Sequence, residues 1–549
     1  MRADPSGGAA RKLADSEGPT GRPWRALLVL CLGNFLILLD TTIVNTAAPD
    51  LMRSLDTGIA TVLWVLNGYL LAFASLLIVF GRLGDLMGPR RLFVVGLAVF
   101  TVASLLCGAA PSPGQLVAAR IVQGVGAAAL LPQALVLIAA IFPPDRRGAA
   151  FGIFTAVAGV AAVSGPTLGG LVITELGWQW IFYVNVPLGL AGIALTLRFV
   201  PDLRSPRPHR YDVVGVLLAT LSLLGLVYGL VEGERHRWGR VVGPLSIPLI
   251  LGVAVLLAVI FIRWERRHPE PLLPLGLFRD RNFSIATAIA GVTSFALYGF
   301  LLVFVIETQT LLGMSPLASG VAALPLTLVL SAVAPVAGRL TDRVGGRHLL
   351  VVGLAVYALG MVGLAFLPTP TSTAASFALP LVLVGIGIGA SIAPTTTEAM
   401  RGIAPAQSGA ASGVLNTARQ VGGALGAAVI GAVLQNRLLD SLHTAARDPA
   451  TPVPPGLRDG LAEAIDAAAA HGLNLGGGRS GGVPVPADLP PDLAGQFQRL
   501  AADTFDRAFV PAARPTLMLV AGVLLLGSLL AARMRRTSGR PVAGQAARM

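Results

Sequence analysis

Long apolar runs alternate along this chain with short polar breaks. Fourteen runs are predicted to be transmembrane helices, at roughly 24–48, 61–81, 91–110, 115–141, 149–173, 179–200, 212–231, 242–262, 283–306, 317–338, 348–367, 376–397, 409–433 and 513–533. A hydrocarbon core of ~30 Å takes about 20 apolar residues in helical form. Gly and Pro recur inside the runs, which membrane helices tolerate where neighbours re-satisfy the backbone. Residues 1–23 are polar and read as a disordered cytoplasmic tail. No cleavable signal is evident, because the run starting near Trp24 is too long for a signal core. A polar stretch at about 434–512, rich in Pro, Gly, Ala and Asp, reads as one long external loop. Short helices are expected in it near 456–470 and 490–509.

One polar break occurs twice. Gly81-Arg82-Leu83-Gly84-Asp85-Leu86-Met87-Gly88-Pro89-Arg90 returns as Gly338-Arg339-Leu340-Thr341-Asp342-Arg343-Val344-Gly345-Gly346-Arg347. A second echo, Gly148-Ala149-Ala150-Phe151-Gly152 against Gly409-Ala410-Ala411-Ser412-Gly413, has nearly the same offset. Duplicated segments at one offset are the mark of a transporter built from related halves. Spans 1–6 then overlay spans 9–14, and spans 7 and 8 are an insertion. The expected organisation is a tail at 1–23, a six-helix half at 24–200 and two inserted helices at 201–270. A second six-helix half at 271–533 carries the 434–512 loop, and a cytoplasmic tail follows at 534–549.

Composition narrows the class. The 549 residues are 54% hydrophobic and only 13% charged, against ~25% charged in ordinary globular chains. The net charge of +13 would suggest nucleic acid in a soluble protein. Here the arginines cluster in alternate loops, as membrane topology requires, so nucleic acid is not expected. With the N-terminus inside, the inner segments hold Arg82, Arg90 and Arg91, then Arg146 and Arg147, then Arg263, Arg266 and Arg267, then Arg339, Arg343 and Arg347. The exception is 232–240, an outer loop with three arginines and the weakest point in the topology. Cys31 and Cys107 lie inside apolar runs, and the histidines show no ligand spacing, so neither a disulfide nor a metal is expected. A nucleotide loop of the G-x-x-x-x-G-K-[S/T] type cannot exist, since the sole lysine is Lys12. No nucleophile–base–orienter set suggests an enzyme. No cofactor is expected, and an ion gradient is left as the energy source.

Several polar residues inside the runs are candidates for chemistry. Asp85 and Asp342 can accept hydrogen bonds from the N-terminal amides of the helix across the loop. A plain charged inner loop is the bland alternative. Asp40 lies in the outer half of span 1, and Arg120 at similar depth in span 4. An unpaired carboxylate there costs at least ~2.5 kcal/mol. Asp40 is therefore either a proton-coupling acid or half of a structural ion pair. Glu307, near the outer end of span 9, could attract a cation, act as a second protonation site, or sit solvated at the interface. Arg419 in span 13 needs a partner, for which Glu398 is a candidate. Asn34, Asn45, Gln123, Gln133 and Gln309 are candidate cavity lining, each with a helix–helix hydrogen bond as its alternative.

The duplicated break resembles the signature loop between spans 2 and 3 of the major facilitator superfamily. Leu39-Asp40-Thr41-Thr42-Ile43-Val44-Asn45-Thr46-Ala47-Ala48-Pro49 resembles the first-span motif of its fourteen-spanner drug:proton antiporters. Arg120 through Gly126 resembles their fourth-span motif, and Gly159 through Gly170 their fifth-span motif. Trp178 through Gly189 resembles the sixth-span segment. The resemblance implies an all-α integral membrane protein with the major-facilitator fold. It implies secondary active export of a drug or antibiotic in exchange for protons, by alternating access. Asp40 and Arg120 would couple to protons, while Gly81, Asp85, Arg90, Gly338, Asp342 and Arg347 would latch the inner side. Gly159, Gly165, Pro166, Gly169 and Gly170 would bend span 5 and pack it against the other half. The expected location is the cytoplasmic membrane with both termini inside. The expected substrate is hydrophobic and, where Glu307 attracts it, cationic. Proton-coupled uptake of a sugar or metabolite remains the alternative within transport. A receptor or scaffold acting through 434–512 is the alternative outside it.

Overall fold

The computed structural model describes residues 23–203, 212–233, 235–366, 373–447, 463–465 and 491–536. Its long helices follow the apolar runs. Span 1 is Pro23–Thr46, span 2 Ile59–Met87, span 3 Pro89–Gly108 and span 4 Pro113–Ile141. Span 5 is Arg147–Leu176, and span 6 is Trp180–Tyr183 continued by Asn185–Phe199. Spans 7 and 8 are Val213–Glu232 and Ile247–Glu265. Spans 9 to 14 are Arg281–Ile306, Leu324–Val344, Gly346–Phe366, Ala378–Met400, Ser408–Arg447 and Pro491–Ala531. Among the described residues, 13 helices are long and apolar enough to cross a membrane. Span 5 adds a continuous helix of 30 residues, apolar over Arg147–Ala161.

The ends of these helices depart from the expected spans. The duplicated polar breaks are not loops. Span 2 stays helical through Asp85 to Met87, and span 10 through Asp342 to Val344. Each is parted from the next helix by one glycine, Gly88 (φ 92°) or Gly345 (φ 81°). That backbone region costs Gly nothing and strains other residues, so the repeated glycine is the turn itself. The 434–512 loop is likewise corrected. Span 13 runs on to Arg447 and span 14 starts at Pro491, which absorbs the short helix expected at 490–509. Leu434, Leu438 and Leu442 are buried on one extension, and Phe497, Phe505 and Phe509 on the other. A helix that packs on one face only loses its continuous apolar run but keeps its hydrogen bonds. The helix expected at 456–470 lies outside the described residues except at 463–465.

Spans 1–6 pack among themselves, as do spans 9–14, and the groups meet mainly where span 2 packs against span 13 and span 5 against span 10, with smaller contacts of span 5 with span 12 and of span 4 with span 13. Spans 7 and 8 pack together beside spans 2 and 13. The arginine-rich outer loop closes into a small hairpin, β1 (Arg240–Val242) against β2 (Leu245–Ser246). The inserted pair is pinned to span 2 by Val227 against Leu71 and Ala74. The Asn67 amide also donates to buried Glu232 Oε1 at 2.9 Å. Glu232→Ala removes that acceptor. It is expected to cost about 1 kcal/mol, read as a lower melting temperature in detergent with the other helices unchanged.

Candidate functional site

Asp40 and Arg120 meet inside the first helix group. Arg120 Nη1 donates to Asp40 Oδ2 at 2.5 Å, and both side chains are essentially inaccessible. The opposite senses of spans 1 and 4 bring the two residues to one depth. Residues of spans 2, 3, 4 and 6 complete the shell. Gln123 donates to Asp40 Oδ1 at 2.8 Å and accepts from Arg120 at 2.7 Å. Asn185, where span 6 resumes after its break, donates to Asp40 Oδ1 at 3.2 Å and to Ser104 of span 3 at 3.1 Å. Arg120 Nε donates to the Val65 carbonyl at 3.1 Å, and its guanidinium lies 4.3 Å from the centre of the Tyr69 ring. Both charges are thus desolvated, paired and hydrogen-bonded, the condition under which a buried ion pair persists. Removing one partner strands the other at a cost of ~3–5 kcal/mol.

At the arginine-rich end, the duplicated acids reach across the molecule. Asp85 accepts from the Gly409 and Ala410 amides at 2.8 and 3.1 Å, at the start of span 13. Asp342 accepts from the Gly148 and Ala149 amides at 2.7 and 3.0 Å, at the start of span 5. The two sequence echoes are therefore the acids and the receivers of one reciprocal pair of acid–amide contacts between the groups. The expectation that each acid caps the helix across its own loop is corrected: each caps a helix of the opposite group. Unpaired amides and the helix dipole make that terminus favourable for a carboxylate. Glycine allows the approach. A Cβ on Gly81 would meet the Gly409 carbonyl oxygen, and one on Gly148 the Gly338 carbonyl oxygen. Arg82 joins the first of these contacts, 3.9 Å from Asp85. Arg90 instead donates to the Leu197 carbonyl of span 6 at 2.5 Å. Its counterpart Arg347 has no side-chain hydrogen bond or ion pair among the described residues. Asp85→Asn or Asp342→Asn replaces one of two acceptor oxygens by a donor. Each is expected to cost about 1 kcal/mol, or about five-fold in the closed-to-open ratio. Faster thiol labelling of a cysteine placed at the arginine-rich end reads this out.

Between the two groups, near mid-span, lies a cavity of about 210 Å³. Its walls differ. The first group contributes a mainly apolar wall including Ile37, Leu38, Leu70, Phe73, Phe151 and Phe154. The second contributes polar groups including Thr293, Ser294, Thr396, Asn416, Arg419 and Gln420. Arg419 donates to Thr396 Oγ1 at 2.6 Å and to Asn416 Oδ1 at 3.4 Å. Glu398, its expected partner, accepts from the Gly346 amide at 2.9 Å and pairs with Arg401 at 3.2 Å.

Most of the other expected lining lies elsewhere. Asn45 is exposed and donates to the Thr41 carbonyl of its own helix. Gln123 is engaged by the Asp40 cluster. Gln133 donates to the Phe80 carbonyl beside Gly84, near the latches. Glu307 and Gln309 sit on the π-helical turn Glu307–Leu311 that ends span 9, outside the cavity wall. In span 5, Gly159 faces Leu330 and Ser331 of span 10, between the groups as expected. Gly165 and Gly169 instead face Thr42 and Ile43 of span 1, and Gly170 faces open space. The side chain of Pro166 lies outside the described residues. Sequence reasoning missed Thr395, Thr396 and Thr293. An intramembrane threonine bonds its own helix as readily as a ligand, so its type carries no signal.

The sequence profile of the Major Facilitator Superfamily matches residues 30–427. The chain is 36% identical to the tetracenomycin C resistance and export protein of Streptomyces glaucescens, over 77% of this chain and 78% of that protein. It is 39% identical to the puromycin resistance protein of Streptomyces alboniger, over 76% and 83%. Among solved structures it is similar to the proton:xylose symporter XylE, with a TM-score of 0.57 and 14% identity, over 96% of this chain and 98% of that one.

Proposed function

The chain belongs to the major facilitator superfamily, and from that premise we propose that it is a proton-coupled exporter of an antibiotic-type organic compound. The observation that carries the reading is the arrangement of cavity and latches. A mid-bilayer cavity lies between two helix groups joined at one end by matched acid–amide contacts, the layout needed for alternating access. The relatives that carry resistance or export in their names are similar over three quarters of this chain, which supports export over uptake. By the arginine distribution, the latched end faces the cytoplasm and both termini are inside, in the cytoplasmic membrane. The structure is then the state closed to the cell interior.

Proton coupling is assigned to Asp40. Thr41, next to it on span 1, and Leu38, two residues before it, line the cavity, as does Leu70 next to Tyr69. A proton on Asp40 removes the counter-charge of Arg120. Arg120, which also contacts Gln123, can then relax by shifting against the Val65 carbonyl and the Tyr69 ring, next to Leu70 of the cavity wall. Substrate occupancy and proton occupancy thereby act on the same turns of spans 1 and 2. In inverted vesicles, whose lumen corresponds to the cell exterior, an acid lumen is expected to drive accumulation of one or more members of an antibiotic panel. An uncoupler is expected to abolish it. Accumulation indifferent to the pH gradient would contradict coupling, and efflux from the acid lumen would favour uptake.

A further inference from the structure

The cavity has one charged group in its wall, and that group is a cation. Arg419 has no carboxylate paired with it among the described residues, although it lies within a membrane span, where charges are otherwise neutralised by partners. A guanidinium carries five N–H donors in a planar fork. Two Arg419 nitrogens are held by Thr396 and Asn416, which fixes the fork and leaves donors for the cavity. The hydroxyls of Thr155, Thr293 and Thr396 donate to carbonyls of their own helices, so they offer no proton to the cavity and the charged donors there are those of Arg419. Thr395, also in the wall, keeps a buried hydroxyl with no partner. The opposite wall is mainly apolar, with Phe73, Phe151 and Phe154 beside the uncharged Asn34, Thr41 and Thr155. Among the described residues no acid lines the space, and Glu307 is not in its wall.

We propose that the transported compound is an amphipathic organic anion, its carboxylate or delocalised enolate held by Arg419 and its apolar body lying against Phe73, Phe151 and Phe154. The bound anion supplies the counter-charge that the helices withhold. A fork of donors suits a planar two-oxygen acid. The direction of transport rests on the export reading, while the charge preference rests on the cavity alone. This proposal has the opposite charge from the cationic substrate that Glu307 suggested in the sequence.

Two dyes on one xanthene scaffold separate these claims: anionic fluorescein and cationic rhodamine 123. Binding to the purified full chain is measured by fluorescence polarisation at constant ionic strength, with transport in inverted vesicles alongside. Wild type is expected to bind fluorescein at least ten-fold more tightly than rhodamine 123. Arg419→Gln is expected to lose that preference, and Arg419→Lys to keep part of it. Thr396→Val, which frees the fork without removing charge, is expected to weaken fluorescein several-fold and leave rhodamine 123 unchanged. Tighter binding of rhodamine 123, no binding of either dye, or a preference unaltered in both Arg419→Gln and Thr396→Val would overturn the proposal. Fluorescein bound with this preference but not moved by a pH gradient would leave the anion site standing and count against the export reading.

Discussion

Asp40→Asn is expected to reduce transport driven by a pH gradient at least 100-fold. Asparagine keeps the shape of the side chain and one acceptor oxygen. Gln123 and Asn185 can keep their shared acceptor, whereas Arg120 loses the oxygen it donated to and keeps only Gln123 and the Val65 carbonyl, and the site no longer cycles between charged and neutral. Arg120 is left as an uncompensated buried cation, and stability is expected to fall by part of the ~3–5 kcal/mol that breaking such a pair costs. Loss of fold and loss of coupling are separated by the double variant Asp40→Asn, Arg120→Gln, which removes both charges. It is expected to recover most of the melting temperature and none of the gradient-driven transport. Substrate exchange with no gradient, which needs no net proton movement, is expected to survive in the double variant. Gradient-driven transport restored along with stability would show that the pair only holds spans 1 and 4 together.

Gly148→Val is expected to be nearly as severe, by a different route. Any Cβ at this position would collide with the Gly338 carbonyl oxygen and with Asp342 Oδ1. Both are atoms of the latch, and one is backbone, so the clash cannot be relieved by a rotamer. The inner end of span 5 must then stand off from span 10, and the state closed to the cytoplasm is lost. Transport is expected to fall at least 100-fold. Cysteines at the arginine-rich end are expected to label persistently, and substrate added from the cytoplasmic side to bind still. Gly170→Ala is the matched control. It enters open space in the same helix and is expected to transport normally. A Gly148→Val protein that transports at the wild-type rate would remove the latch from the mechanism.

The membrane helices were legible because a span must present apolar side chains over its whole buried length. Their ends were not. Asp85 and Asp342 continue the helix as polar residues, and the extensions to Arg447 and from Pro491 bury one face only. The latch acids were legible as a duplicated pattern, and their receiving glycines as a second one. That one pattern is the receptor of the other follows only from the crossing of spans 2 and 13 and of spans 5 and 10. Asp40 and Arg120 stood out because a charge inside a span demands a partner. In the sequence Gln123 reads equally as cavity lining or as a helix–helix hydrogen bond, because an amide announces a hydrogen bond and not its direction; the structure gives the second, completing the Asp40 shell. Arg419 was visible for the same reason as Asp40, whereas its setting among threonines that bond their own helices was not.

The central claim is that export is exchanged for protons through Asp40. Its most direct measurement uses proteoliposomes of the purified full chain with a pH-sensitive dye in the lumen and no initial pH gradient. Imposing a gradient of an exported compound is predicted to move protons the opposite way in the wild type, and the movement is predicted to vanish in the Asp40→Asn, Arg120→Gln variant. Substrate flux with no proton movement in the wild type, or an unchanged proton signal in the variant, would contradict the account.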